Sequence, residues 1–410
     1  MPRPVTVDDD TNQEPFRVVI AGGGVGGLEA ALALGEAGQA LDVTLLAPNA
    51  EFVERPMSVA EPFAAGHSAR VPVATVAHDS GATLIADSLS AVDPERHTVT
   101  THQGQQLTYD ALLIAVGAEP YAAVPGAQMW THDSSPEIMG GLLRDMEEGY
   151  SRRVAFVQPD APCWPLPVYE LAMMCARDAY GMNIDDAEVT VVIPERAPLI
   201  AFGENASAMV AAELKAAKVA TRAGAGPRIE RHGRTLSLGN GQQLDVDRVV
   251  ALPGLRGPST TGLPQDANGF LIVDERGRVT GVPSVWAIGD GTDSRLKQGG
   301  LAAQQADMAA RDILARALDH DAPEPHAPVL RGMLLTGEAR LWLQRELGSD
   351  DAGQAADYAL WWPPSKIAGS RLGDYLAVPP QVHAPGAHVV ETIIPRHRPA
   401  SIVEKPLAVR

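Results

Sequence analysis

Gly22-x-Gly24-x-x-Gly27 constrains this chain more than any other stretch. It follows Arg17-Val18-Val19-Ile20-Ala21, an apolar run of strand type, and precedes Leu28 to Glu36, where alanine and leucine recur at helical spacing. Val43-Thr44-Leu45-Leu46 reads as a second strand, so the segment predicts a βαβ unit with parallel strands and a right-handed crossover. The first glycine permits a sharp turn, the second lets backbone approach a pyrophosphate, and the third lets helix and strand pack closely. Behind them the helix N-terminus offers free N–H groups and a partial positive charge. An acid for an adenosine ribose is expected at the end of the second strand, but Ala47 and Pro48 stand there. Glu51 and Glu54 are the nearest candidates, and each reads equally as a solvated surface acid.

A weaker second copy follows. Val154-Ala155-Phe156-Val157 reads as a strand, residues 168–179 as a helix, and Val189-Thr190-Val191-Val192-Ile193 as another strand. The runs ending in Pro48 and Pro194 are closed by proline at the same place, which suggests two nucleotide-fold halves; any α/β chain could repeat such strands. The length of 410 residues, at ~150 per domain, allows two or three domains. Two further strands end in glycine, one running from Asp110 to Gly117 and one from Ser284 to Gly289-Asp290. Gly299 and Gly300 lead into a long alanine-rich helix, Leu301 to Leu318. Residues 322–328 carry three prolines and read as a linker, and 329–410 as a separate C-terminal module. Residues 1–15 read as a loose polar tail.

Charge and cysteine content narrow the function. Acids outnumber bases 51 to 33, a net −18, and a surface so acidic repels phosphate backbones; with aromatics at 5%, nucleic-acid binding is excluded as an expectation. Two cysteines, Cys163 and Cys175, rule out a disulfide-stapled scaffold and a cysteine-rich metal cluster. No apolar run reaches ~18 residues, so no transmembrane helix is expected. The acidic N-terminus with Asp8, Asp9 and Asp10 lacks the basic start of a signal peptide, and a cytoplasmic location is the expectation.

Gly22 to Gly27, the stretch from Tyr109-Asp110 to Ala118-Glu119-Pro120, and Val285 to Asp290 together resemble the FAD-domain signatures of two-dinucleotide-domain flavoproteins. Phe52, Arg55 and Pro56 fit the segment after the second strand. The chain looks most like the branch holding sulfide:quinone reductases, flavocytochrome c sulfide dehydrogenases and type II NADH dehydrogenases. The resemblance covers residues 16–320 and implies an α/β fold with two Rossmann-like domains, one for FAD and one degenerate and NAD(P)-like, plus the C-terminal module. It implies an FAD-binding domain from 16–120 and 252–320, and an NAD(P)-like domain over 121–251. It also implies that Gly22, Gly24, Gly27, Arg55, Gly117, Gly289, Asp290 and Leu301 hold FAD. Asp290 would meet the ribityl chain, and the helix starting near Leu301 would point its positive end at the flavin ring. Lys297 either adds charge there or is a solvated loop lysine.

The resemblance leaves the substrates open. A dithiol reductase needs closely spaced cysteines, and Cys163 and Cys175 are twelve apart. Pro162-Cys163-Trp164-Pro165 to Glu170 resembles the stretch around one redox cysteine of sulfide:quinone reductases, and a thiol just before a helix would have its pKa lowered from ~8.5. The partner cysteine of that chemistry is absent after Cys175, so Cys163 works alone, forms a flavin adduct or is a small buried residue. Cys175 is read as core. NAD(P)H use is disfavoured, because Gln158-Pro159-Asp160-Ala161-Pro162 has no glycine, lacks two N–H donors and carries an acid, although Glu195 could hold a ribose. Ala303-Gln304-Gln305-Ala306 resembles the segment beside the quinone head in type II NADH dehydrogenases, and Glu170 resembles the acid near that site. The leading expectation is therefore an FAD-dependent oxidoreductase passing two electrons to a quinone-like acceptor. The alternatives are an NAD(P)H dehydrogenase and a non-catalytic FAD-binding redox sensor. Trp361, Trp362, Leu372, Tyr375 and Leu376, with Lys366 and Arg371 nearby, form a candidate patch for peripheral contact at the inner face of the membrane. Arg396, His397, Arg398, Lys405 and Arg410 make a mildly basic end, and a homo-oligomer stays open.

Overall fold

The computed structural model of the protein describes residues 14–224, 226–229 and 234–377. The loose tail read over residues 1–15, but for its last two positions, and the basic end from Arg396 onward lie outside the described residues.

The chain opens with β1 (Phe16–Ala21), α1 (Val25–Gly35) and β2 (Leu41–Leu46), followed by β3 (Thr83–Ile85) and β4 (Ala111–Ile114). It crosses to β5 (Gln128–Met129), β6 (Arg153–Val157), α2 (Leu166–Gly181), β7 (Glu188–Val192), β8 (Ala220–Arg222) and β9 (Arg248–Ala251). It returns through β10 (Val285–Ala287) and α3 (Gly299–Ala317), and the described part ends with β11 (Val329–Leu335), β12 (Arg340–Glu346), β13 (Gln354–Ala356) and α4 (Leu372–Ala377). Two five-stranded sheets result, ordered β10-β4-β1-β2-β3 and β5-β9-β6-β7-β8. Every neighbouring pair in both is parallel, as the βαβ pattern requires. The α/β class expected from the sequence is the one observed. An antiparallel ribbon, Glu119–Tyr121 against Gly254–Arg256, stands where the chain leaves the first sheet and comes back.

Parallel sheets are covered on both faces, which explains the near-continuous apolar strands. Val18 and Ile20 of β1 pack with Leu28 and Leu34 of α1, while Val19 faces Val92, Tyr109 and Leu271 on the other side. The hairpin of β11 and β12 buries Leu330, Met333, Leu334 and Trp342 in the core that also holds Phe156 of β6 and Tyr169 of α2.

One buried charge fixes α3 to the first sheet. Asp312, 1% exposed, accepts hydrogen bonds from Trp286 Nε1 on β10 (2.9 Å) and from Arg278 Nε (2.6 Å) and Nη2 (2.7 Å). Asp312→Ala leaves the indole N–H and the guanidinium without their acceptor, and it is expected to cost about 2–3 kcal/mol. Urea unfolding of the intact protein measures this, and a change under ~0.5 kcal/mol would show the contact to be dispensable.

Candidate functional site

The loop after β1 is shaped by backbone contact. Gly22 has φ +123° and sits where a Cβ would overlap the Ala115 carbonyl; Gly27 sits where a Cβ would overlap the carbonyl of Gly22. Only glycine fits either position. Gly24 has open space where its Cβ would be and precedes the first turn of α1, which no side chain caps. A helix end bare of side-chain caps is suited to an anion.

This loop forms one end of a cavity of about 1300 Å³. Gly22, Gly24, Arg55, Gly117, Gly289 and Asp290 all line it. Gly27 lies behind the loop and supports it by packing. Of the two acids considered for a ribose, Glu51 is on the wall, paired at 3.4 Å with Arg70, and Glu54 is not. Asp290 is held above its usual carboxylate range by burial, opposed by the charges of Lys297 and Arg55, and its Oδ1 is buried without a hydrogen-bond partner. Lys297 is not a solvated loop residue: it is 2% exposed, its Nζ donates to the Thr292 carbonyl at 2.5 Å and lies 3.7 Å from the Phe270 ring centroid. Burial lowers its pKa to about 8 against the pull of Asp290, Asp293 and Asp266.

Deeper in the cavity Glu170 of α2 meets Lys366 at 2.6 Å, across 196 positions of sequence. Both are almost fully buried. Glu170 Oε1 also accepts the Leu335 N–H (2.8 Å), and Lys366 Nζ also donates to the Pro56 carbonyl (3.0 Å). Glu170 Oε2 is buried with no partner. Burial pushes the carboxyl up and the ammonium down, each resisted by its partner's charge, so their proton affinities converge. Trp130, Trp164, Leu166 and Met333 give this end an apolar wall. Sequence reasoning placed Lys366 on the surface; nothing local in Pro363-Pro364-Ser365-Lys366 signals a buried ion pair.

Besides Gly27, three expected site residues lie off the wall. Leu301 is core, 4% exposed, and its N–H donates to Gln298 Oε1 at 2.7 Å. The helix begins at Gly299, and Gly299 and Ala302 border the cavity instead. Gln304 is committed to structure: its amide bridges the Gly300 carbonyl (3.0 Å) and both the carbonyl (2.9 Å) and N–H (2.8 Å) of Val329. Cys163 is half-buried beside Glu195 and Tyr169, three residues ahead of α2, and the wall starts at Trp164. The expected drop in its pKa is reversed, because burial and then the Glu195 charge push the thiol up to about 12. Cys175 is buried core as expected, 3.6 Å from the Met146 sulfur.

The carboxyl ends of β6 and β7 carry a closed network. Gln158 Nε2 donates to Glu195 Oε1 (3.2 Å), and the Tyr169 hydroxyl donates to Glu195 Oε2 (3.4 Å). The loop to α2 contains Pro159, Pro162 and Pro165, the first turn contains Pro167, and the Val168 N–H is taken by the Pro165 carbonyl. Few N–H donors remain at this helix start.

Of the candidate membrane patch, Leu372 and Lys366 are buried, Trp361, Arg371, Tyr375 and Leu376 are half-buried, and Trp362 is exposed. Leu372 is fully buried, Lys366 and Arg371 are in ion pairs, and Trp361 packs edge-on against Trp342 at 4.6 Å. Trp362, 84% exposed, is the fully exposed member. Among the described residues no helix is long and apolar enough to cross a membrane, and no acidic, histidine or cysteine cluster could hold a metal.

Comparison with known proteins agrees with this geometry. The family model described as pyridine nucleotide-disulphide oxidoreductase matches residues 16–157 and 169–306. An NADH dehydrogenase-like protein of Mycobacterium tuberculosis is 28% identical over 304 residues, 68% of this chain and 74% of that one. The sulfide-quinone reductase of Aquifex aeolicus is 28% identical over 163 residues, 38% of each chain. The solved sulfide:quinone oxidoreductase from Aquifex aeolicus superposes with a TM-score of 0.74 at 19% identity, covering 83% of this chain and 86% of that one, which shows a shared fold.

With its pKa pushed up to about 12, the Cys163 thiol is almost wholly neutral near pH 8. Iodoacetamide alkylation mapped to its peptide is expected to run about a hundredfold slower than for an unperturbed cysteine at that pH. Rapid labelling near pH 7 would restore Cys163 as a reactive thiolate.

Proposed function

From the premise that the chain belongs to the pyridine nucleotide-disulphide oxidoreductase family, and is an FAD-dependent oxidoreductase, we propose that it passes two electrons to a quinone-like acceptor. The buried Glu170–Lys366 pair, with Glu170 Oε2 unpartnered inside the cavity of the phosphate loop, carries this reading.

The residues present fit FAD. Gly22, Gly24 and the bare end of α1 would take the pyrophosphate, with Gly117 and Gly289 giving close backbone at the rim. The unpartnered Asp290 Oδ1 would accept a hydroxyl of the ribityl chain, and Arg55 and Lys297 would hold positive charge nearby. FAD, when bound, supplies the two-electron redox chemistry. In this reading residues 16–120 with 252–320 form the FAD-binding part and 121–251 the second, NAD(P)-like part.

Reducing a quinone to a quinol takes two electrons and two protons. Glu170 is suited to deliver a proton through Oε2 and to regain it from Lys366, because burial raises the carboxyl's proton affinity and lowers the ammonium's. The apolar wall of Trp130, Trp164, Leu166 and Met333 suits a flat hydrophobic ring. Against a nicotinamide donor over the second sheet stand the glycine-free loop, its prolines, and a Glu195 carboxylate already engaged by Gln158 and Tyr169. The similarity to an NADH dehydrogenase-like protein favours the alternative of an NADH donor.

Anaerobic titration separates the two. NADH and NADPH are expected to leave the visible flavin band unchanged, dithionite to bleach it, and a short-chain quinone to restore it. Bleaching by NADH would sink the exclusion of nicotinamides, and failure of the quinone to restore the band would sink the acceptor. Glu170→Gln is expected to slow restoration by quinone about a hundredfold with the flavin retained; stopped-flow absorbance reads the rate, and an unchanged rate would remove Glu170 from proton delivery.

A further inference from the structure

The segment 363–372 reaches the cavity at one end and is pinned far from it at the other. Lys366 carries its charge onto Glu170, and Ile367, the next residue, is fully buried in the core beneath α1. Gly369 crosses so close to α1 that a Cβ there would overlap Glu29 Oε2 and come within 3.2 Å of the Ala303 Cβ. The chain then turns two consecutive backbone N–H groups onto one carboxylate: Arg371 N donates to Glu29 Oε1 (2.7 Å) and Leu372 N to Glu29 Oε2 (2.8 Å). Glu29 is fully buried, two residues past Gly27 on the phosphate-binding helix.

We propose that Glu29 is a positioning residue: from behind the phosphate-binding helix it pins the segment 363–372 and thereby holds Lys366 on Glu170. The five positions from Lys366 to Arg371 span at most ~17 Å of extended chain. A segment this short, with Ile367 buried in the core and Gly369 packed against α1, transmits the loss of one anchor to the other. The effect on turnover rests on the acceptor reading above; the pinning does not.

The anchor responds to pH. The charged groups facing Glu29 are Asp307 from α3 and Arg371 from the segment itself. Arg371 Nη1 donates to Asp307 Oδ1 (2.5 Å), Ser370 Oγ to Asp307 Oδ2 (2.5 Å), and the rest of the guanidinium goes to Glu36 at 2.6 and 2.8 Å. Two carboxylates thus share one guanidinium, and Glu29 is held by backbone N–H groups beside it. Burial first, and the Asp307 charge with it, raises the Glu29 pKa to about 7, against the two N–H bonds and Arg371. A carboxyl whose pKa is higher docked than released favours docking at low pH. That contribution is full below its ordinary range and is lost as pH rises through about 7, so the segment loosens on the alkaline side.

Hydrogen exchange of the holoenzyme tests this, with rates corrected for intrinsic exchange. Protection of the 365–372 amides is expected to fall about fivefold between pH 6 and pH 8.5 in the wild type. It is expected to show no such step in Glu29→Gln and to be low at both pH values in Glu29→Ala. Amine-reactive labelling of Lys366, read by mass, is expected to be about tenfold faster in Glu29→Ala than in the wild type. Equal labelling, or a pH step that survives in Glu29→Gln, overturns the proposal whatever the acceptor is. Should Glu29→Ala not fold, the Glu29→Gln comparison alone decides. For turnover with a short-chain quinone, Glu29→Ala and Lys366→Met are expected to be non-additive; additive losses would overturn the link to Lys366. If quinone fails as acceptor in the wild type, the exchange and labelling results still stand by themselves.

Discussion

Helix α1 lies against the end of β1 with no room for a side chain between Gly27 and the Gly22 carbonyl, and the rest of the site is arranged around that contact. It sets the distance between helix and sheet, so the bare N-terminus of α1 opens at the carboxyl ends of the parallel strands. α3 packs alongside α1 and is tied to β10 through Asp312, which brings Gly299, Ala302 and Asp290 to the same rim. On its far side α1 presents Glu29 to the segment that carries Lys366. One glycine-dependent approach therefore locates both ends of the cavity.

The chain carries 51 acids against 33 bases, so a buried cation is scarce and its placement informative. Within the fold, buried carboxylates are met by cations: Glu170 by the equally buried Lys366, and Asp312 and Asp307 by the partly exposed Arg278 and Arg371. Such pairs gain little net stability over an apolar filling, because desolvation offsets the attraction. Two buried oxygens on the cavity wall depart from pairing, Asp290 Oδ1 and Glu170 Oε2. An unsatisfied buried acceptor costs about 1–3 kcal/mol in the folded chain. Both residues line one cavity, where a donor from a bound molecule can meet each.

Much of the fold was legible because it is local. β1, the glycine loop and α1 depend on contiguous residues, and so do the two strands that lead to Gly117 and Gly289, which end earlier than the sequence suggests, at Ile114 and Ala287. The second βαβ copy was weaker in sequence yet lies in the same parallel order. What escaped were contacts between distant pieces. Lys366 meets Glu170 across 196 positions, and no periodicity announces it. Gln304 carried a plausible motif, but its amide is held by Val329 of a strand that sequence alone does not place. Cys163 failed for a length reason: the helix starts at Leu166, so the thiol sits in the loop among Glu195 and Tyr169 and is desolvated without a helix end to stabilise its anion.

That same length difference separates the two halves in where their first helix starts while leaving their folds alike. Three residues, 22–24, join β1 to α1, whereas eight, 158–165, join β6 to α2. A short link holds a helix end over the strand ends, where a pyrophosphate is met. The longer, proline-rich link carries the start of α2 away from β6 and onto the wall of the other half's cavity, where Trp164, Leu166, Pro167 and Glu170 appear. The strand ends thus vacated are bridged by Gln158, Glu195 and Tyr169. Neither the pairing of β6 with β7 and β9 nor the core beneath α2 depends on that link, so the sheet persists whatever the link does. The second half thereby supplies an aromatic side chain, Trp164, and an acid, Glu170, to the wall of the cavity that the glycine loop of the first half also lines.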